Sequence, residues 1–181
     1  MATDISGKTV AFLLTNGVEQ AELTQPWDAV KQAGDTPVLV SPESGSITAM
    51  KSDWEHADSF DVDVELSSAD ASKYDALVLP GGTINADTLR IDTDAQKFVT
   101  AFFEADKPVA SICHGPWILI EVGQVKGRRM TSFESISSDL KNAGADWVDE
   151  QCVVDGNLIT SRNPGDLEAF SSKLVEMVAG K

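Results

Sequence analysis

Short apolar runs alternate with stretches of helical spacing along most of the chain. Residues 9–15 form a continuous apolar run ended by Asn16-Gly17, and residues 20–33 carry apolar positions at helical intervals before Gly34. Residues 36–41 and 75–79 repeat the strand signature, each short and apolar as a buried parallel strand is. Residues 46–66 differ. Their polar alternation through Phe60, Val62, Val64 and Leu66 predicts an exposed antiparallel excursion near the sheet, with no catalytic role. Beyond a loop from Pro80 to Asp87 come an amphipathic helix over 91–105, a strand over 108–112, a helix over 116–122 closed by Gly123 and a helix over 136–143 ending at Gly144. Residues 152–155 and 157–160 flank a turn at Asp155-Gly156, and 164–179 form the last helix. This β-α rhythm predicts an α/β fold with a mainly parallel sheet, and function gathered at the carboxyl ends of its strands.

Composition narrows the picture. A length of 181 residues suits one α/β domain over 1–181. The net charge of −15 argues against non-specific binding to nucleic acid or to an anionic membrane. The acids are scattered through helices and turns, as on a solvated surface. Met1 to Lys8 lack a basic segment followed by an apolar one, and no apolar run reaches spanning length. Two cysteines, Cys113 and Cys152, fit a reducing compartment, so a cytoplasmic location is expected.

Candidate chemistry centres on Pro108-Val109-Ala110-Ser111-Ile112-Cys113-His114-Gly115-Pro116-Trp117. An apolar strand that ends in Cys113, with Gly115 two places on, has the outline of a nucleophile elbow, in which a sharp strand-to-helix turn lifts one side chain above a sheet. The start of the following helix would favour a thiolate there. Against this stands the ordinary role of cysteine as a small core residue. His114 can act as a general acid or base or can simply pack, since adjacent side chains rarely bond each other in regular structure. The loop after the first strand offers Glu19 and Glu22. A glutamate against Cys113 would serve best protonated, because an ionised neighbour opposes the thiolate while a protonated one donates to it. Gly81 and Gly82 allow backbone N–H groups close to a substrate oxygen, as in an oxyanion hole, although the pair also suits a tight turn. Cys152 reads as structural, and His56 as a strand or loop residue. No motif for a metal, nucleotide or dinucleotide is present, so no cofactor is expected.

Four stretches together resemble the ThiJ/PfpI superfamily, in its PfpI branch once described as intracellular cysteine peptidases. They are Gly17-Val18-Glu19-Gln20-Ala21-Glu22-Leu23, Tyr74 through Gly82, Ile112-Cys113-His114-Gly115-Pro116, and Ala143 through Asp149. The resemblance spans nearly the whole chain. It implies a flavodoxin-like three-layer sandwich, related to class I glutamine amidotransferases, with Cys113 as nucleophile, Glu22 beside it and the Gly81/Gly82 turn in the oxyanion site. In peptidase-like members the histidine works with an acid from a neighbouring subunit; the matching position here is Asp87, shorter than the glutamate of some members. The resemblance also implies homodimers or hexamers built from dimers. The activities it implies are glyoxalase III-type or deglycase action on small reactive carbonyls and glycated proteins or peptides, intracellular proteolysis, or a redox-sensor or holdase role through Cys113 oxidation.

Overall fold

The computed structural model describes residues 3–180. In chain order the elements are β1 (Thr9–Leu13), α1 (Gln20–Gln32), β2 (Thr36–Ser41), β3 (Ser46–Lys51), β4 (Glu55–Asp61), β5 (Val64–Glu65), β6 (Ala76–Leu79), α2 (Thr83–Arg90), α3 (Thr93–Glu104), β7 (Val109–Ile112), α4 (Trp117–Glu121), β8 (Arg129–Met130), α5 (Ser137–Asn142), β9 (Asp146–Trp147), β10 (Cys152–Asp155), β11 (Leu158–Ser161) and α6 (Leu167–Val178). Seven strands form the main sheet in the order β10-β11-β7-β6-β1-β2-β5. All pairings in it are parallel except β10 with β11.

The inner strands are short and apolar because both faces are covered. On one face Phe12, Val78, Ala110 and Ile159 pack under Leu23 and Val30 of α1 and Phe170 and Leu174 of α6. On the other, Leu13, Leu77 and Val109 pack under Phe98 and Phe102 of α3, Leu119 of α4 and Leu140 of α5. This gives the expected three layers. Asp92 starts α3 by accepting the amides of Asp94 and Ala95 on its side chain, a cap worth about 1 kcal/mol.

Three boundaries depart from the expectations. The stretch from Pro80 to Asp87 is not all loop, because α2 begins at Thr83. Its eight residues bury only Asn85, Ala86 and Leu89, too few for a helical period to stand out in sequence. The antiparallel excursion exists as the β3/β4 hairpin, but Val64–Glu65 leaves it and joins the main sheet beside β2. The helix after Cys113 starts only at Trp117 and has five residues. Among the described residues, no helix is long and apolar enough to cross a membrane.

The sheet order fixes where a site can form. From β1 the chain moves outward to β2 on one side, while β6 and β7 lie on the other. The loops after β1 and β6 therefore diverge, leaving a crevice at the carboxyl ends of these strands. The residues after β7 close that crevice.

Candidate active site

Cys113 follows the last residue of β7 and has φ of 62°, one of four non-glycine residues among those described with positive φ. That left-handed conformation is costly for a side chain with a Cβ, and it turns the thiol out of the strand direction into the crevice. The same turn allows a contact between sequence neighbours: Cys113 Sγ lies 3.2 Å from His114 Nδ1. The elbow inferred from the residue order is present.

Glu22 reaches the same point from the first turn of α1 and is fully buried. Its Oε2 accepts the Gly81 amide at 2.7 Å. Its Oε1 is buried without a conventional hydrogen-bond partner, and the side chain facing this carboxyl is the Cys113 thiol. Burial drives the Glu22 carboxyl up to about 8, only partly opposed by the Gly81 amide and the thiol. At neutral pH it therefore carries a proton, and with Oε2 occupied as an acceptor the proton belongs on Oε1, where it can be donated toward sulfur.

The thiol itself departs from the expectation of a readily ionised cysteine. Burial pushes its pKa up and an ionised Glu22 would push it further, while the backbone N–H groups of Gly82 and His114, both directed at the sulfur, pull it down. The helix-terminus contribution expected from the sequence is replaced by these two amides, because α4 begins four residues beyond Cys113. Glu22 and Cys113 titrate as an interacting pair, and at rest each keeps its proton.

The glycine turn is also divided differently than expected. Gly81 gives its N–H to Glu22 and so is no oxyanion donor; Gly82 and His114 provide the amides at the sulfur. A Cβ on Gly81 would stand 2.5 Å from Glu22 Oε2 and 2.6 Å from the Cys113 Cβ, so the carboxyl and thiol approach only because Gly81 has no side chain. Asn85, unremarked in the sequence, holds this turn. Its Nδ2 donates to the carbonyls of Pro80 at 3.1 Å and Gly81 at 2.9 Å, and its Oδ1 accepts the Thr15 amide at 2.7 Å.

The hairpin assigned no role supplies part of the site. Ser52 and Asp53, with φ of 55° and 62°, form the turn between β3 and β4 and line the crevice. The Ser52 amide donates to Glu19 Oε2 at 2.8 Å. Glu19 thus holds the hairpin and makes no side-chain cap to α1. Burial, reinforced by the charge of Asp53, raises its carboxyl, opposed by the Ser52 amide. Asp53 Oδ2 accepts the Thr83 hydroxyl at 2.7 Å, and that hydroxyl oxygen is 3.5 Å from His114 Nε2. Ser135 Oγ lies 3.2 Å from the same nitrogen. With its single proton given to Asp53, the Thr83 hydroxyl can only accept from His114, which favours a proton on Nε2 and leaves Nδ1 free to take one from Cys113. The imidazole stacks on Phe133 at 5.0 Å and meets the edge of Trp117 at 5.2 Å. Burial lowers its pKa, so it is neutral at rest.

These groups surround a cavity of about 610 Å³. Asp87 is not among the residues that line it and is exposed on α2. Cys152 is half-buried in β10, where burial raises its thiol pKa, in keeping with a structural residue. His56 is exposed on β4.

Known proteins share this arrangement of elements. Deglycase PfpI of Pyrococcus furiosus is 40% identical over 169 residues, 93% of this chain and 98% of that protein. YraA of Bacillus subtilis, whose name proposes a cysteine protease, is 40% identical over 171 residues, 94% of this chain and 98% of its own. The crystal structure of Drosophila melanogaster DJ-1beta superimposes with a TM-score of 0.86 at 29% identity, covering 96% of this chain and 91% of that one. The model of the DJ-1/PfpI family matches residues 8–177. With that match across its length and its sheet, elbow and buried glutamate in place, the chain belongs to the DJ-1/PfpI family.

Proposed function

We propose that this protein is a cysteine-dependent enzyme acting on reactive carbonyls, of the glyoxalase III or protein-deglycase type. The observation that carries the reading is the protonated Glu22 carboxyl against Cys113, with His114 Nδ1 at 3.2 Å from the same sulfur. The deglycase name of the Pyrococcus furiosus relative supports it.

In this reading His114 Nδ1 takes the thiol proton as sulfur bonds to the aldehyde carbon of methylglyoxal. The Glu22 proton and the amides of Gly82 and His114 face the negative charge, first on sulfur and then on the carbonyl oxygen. Movement of the aldehyde hydrogen, as a proton, to the neighbouring carbonyl carbon through an enediolate converts the hemithioacetal to a lactoyl thioester. Water then releases lactate and restores the thiol. Methylglyoxal and water balance lactic acid, with no outside oxidant. Adducts of methylglyoxal with amines or thiols enter the same sequence once the amine or thiol departs. The test is lactate formation from methylglyoxal by freshly reduced protein beside Cys113→Ser. Cysteine-dependent lactate is expected; none from protein with a titratable thiol defeats the reading.

A second reading, a peptidase, draws on the Cys113–His114 contact and on the name of YraA. It requires Asp87 of one chain to reach His114 of another, and the exposed position of Asp87 supports that requirement. Peptide cleavage that survives Asp87→Asn, or that persists in a monomer, removes this triad.

A further inference from the structure

Three carboxyl groups line the cavity over Cys113, those of Glu19, Glu22 and Asp53, and among the described residues no lysine or arginine does. The cations closest in sequence or stacking are accounted for elsewhere. Arg90 lies over the Trp117 ring but pairs with Glu121, and Lys51, beside the hairpin turn, is exposed and off the cavity wall. His114 adds no positive charge at rest. Trp117, Phe133, Ile136 and Pro164 add apolar surface to the same lining. Glu22 contributes its proton to the chemistry, so Glu19 and Asp53 provide the fixed negative charge. Glu19 Oε2 and both Asp53 oxygens are held by protein donors, which fixes those carboxyl groups in place along the cavity.

We propose that this cavity sorts its substrates by charge, taking carbonyl adducts that carry a guanidinium or quaternary ammonium group ahead of neutral ones and disfavouring anionic ones, with Glu19 and Asp53 as the residues that set the preference. The inference rests on the carbonyl reading and narrows its substrate class. A cation gains from these carboxylates and from the aromatic rings of Trp117 and Phe133 in the same lining, whereas an anion meets their charge with only neutral donors such as Ser135 and His114 to offset it. The effect is electrostatic and therefore weakens as salt screens it.

The experiment uses one reactive group with three charges: the methylglyoxal hemithioacetals of thiocholine, N-acetylcysteamine and 3-mercaptopropionate, cationic, neutral and anionic in turn. In each, water and the adduct give lactate and the free thiol. Lactate formation is followed at matched free methylglyoxal for wild type and Glu19→Gln, in low and high salt. The expected result is kcat/KM falling about tenfold or more from the cationic to the anionic adduct, with a smaller ratio in Glu19→Gln and in high salt. Because each ratio is internal to one protein, a general loss of activity in the variant leaves it interpretable. If Glu19→Gln does not fold, the salt dependence of the wild type decides. Equal rates on all three adducts, or preference for the anionic one, overturn the charge selection while Cys113-dependent lactate keeps the carbonyl reading intact. Absence of Cys113-dependent lactate from methylglyoxal and every adduct removes both.

Discussion

Asp53 receives both hydrogen bonds that Thr83 can give, the backbone amide at 3.0 Å and the hydroxyl at 2.7 Å. The hydroxyl can then only accept from His114, so a residue on a hairpin turn helps to set the tautomer of the histidine beside the nucleophile.

Removing that acceptor frees Thr83 to donate to His114 and disfavours the tautomer that relieves Cys113 of its proton. Asp53→Ala is expected to slow alkylation of Cys113 and carbonyl turnover about tenfold, the worth of one such hydrogen bond. Its negative charge also raises the His114 pKa, so the limb of the alkylation profile that reports His114 moves to lower pH in the variant. Asp53→Asn, which keeps an acceptor for the hydroxyl, retains more of the rate. A purely structural hairpin would lower the melting temperature without moving the profile, and that result rejects the relay.

The buried Glu22 carboxyl couples folding to pH. In the folded chain it keeps its proton up to about 8, against an ordinary value of 4.5. Its contribution is fully present below the unfolded value and is lost as pH rises toward the folded one, at about 1.4 kcal/mol per pH unit within that window. Glu22→Gln cannot release a proton and lacks this decline. Urea midpoints measured from about pH 5 to 8 should fall more steeply for wild type than for the variant. Parallel curves would show that the carboxyl is already ionised.

Gly81 has no positive φ, so the objection to a larger residue is space alone. In Gly81→Ala the new methyl group must displace Glu22 or Cys113. The expected cost is about 1–3 kcal/mol of stability together with a loss of thiol reactivity. A variant that melts as wild type and alkylates at the wild-type rate contradicts the close approach of these two side chains.

The left-handed backbone at Cys113 predicts an unusual ranking of stabilities. Glycine adopts φ near 62° without a steric penalty, whereas alanine carries it. Cys113→Gly should therefore be more stable than Cys113→Ala by about 1 kcal/mol, although glycine is ordinarily the more costly residue. Calorimetry of the two inactive variants checks this. Alanine more stable than glycine means that the elbow is unstrained.

The sequence by itself determined the layered α/β fold and the elbow, because both depend on local order. Apolar strands alternating with helical stretches dictate covered parallel strands, and the run Ile112-Cys113-His114-Gly115-Pro116 encodes a turn within a few residues. The glutamate at Glu22 was legible through the motif around it. What surrounds these residues was decided by tertiary structure. Asp53 lies thirty positions from Thr83 in the chain, and its place follows from the docking of β3 on the loop after β1, where Glu19 and Met50 bridge. Asn85 looks like a polar residue of a short helix until the carbonyls of Pro80 and Gly81 and the amide of Thr15 converge on it. Gly81 and Gly82 are equivalent in sequence, yet one amide is taken by Glu22 and the other faces sulfur. The protonation states were decided the same way. A carboxyl holds its proton at neutral pH, and a thiol resists losing its own, because the fold excludes water from both, and the extent of that exclusion is a property of distant residues packed together.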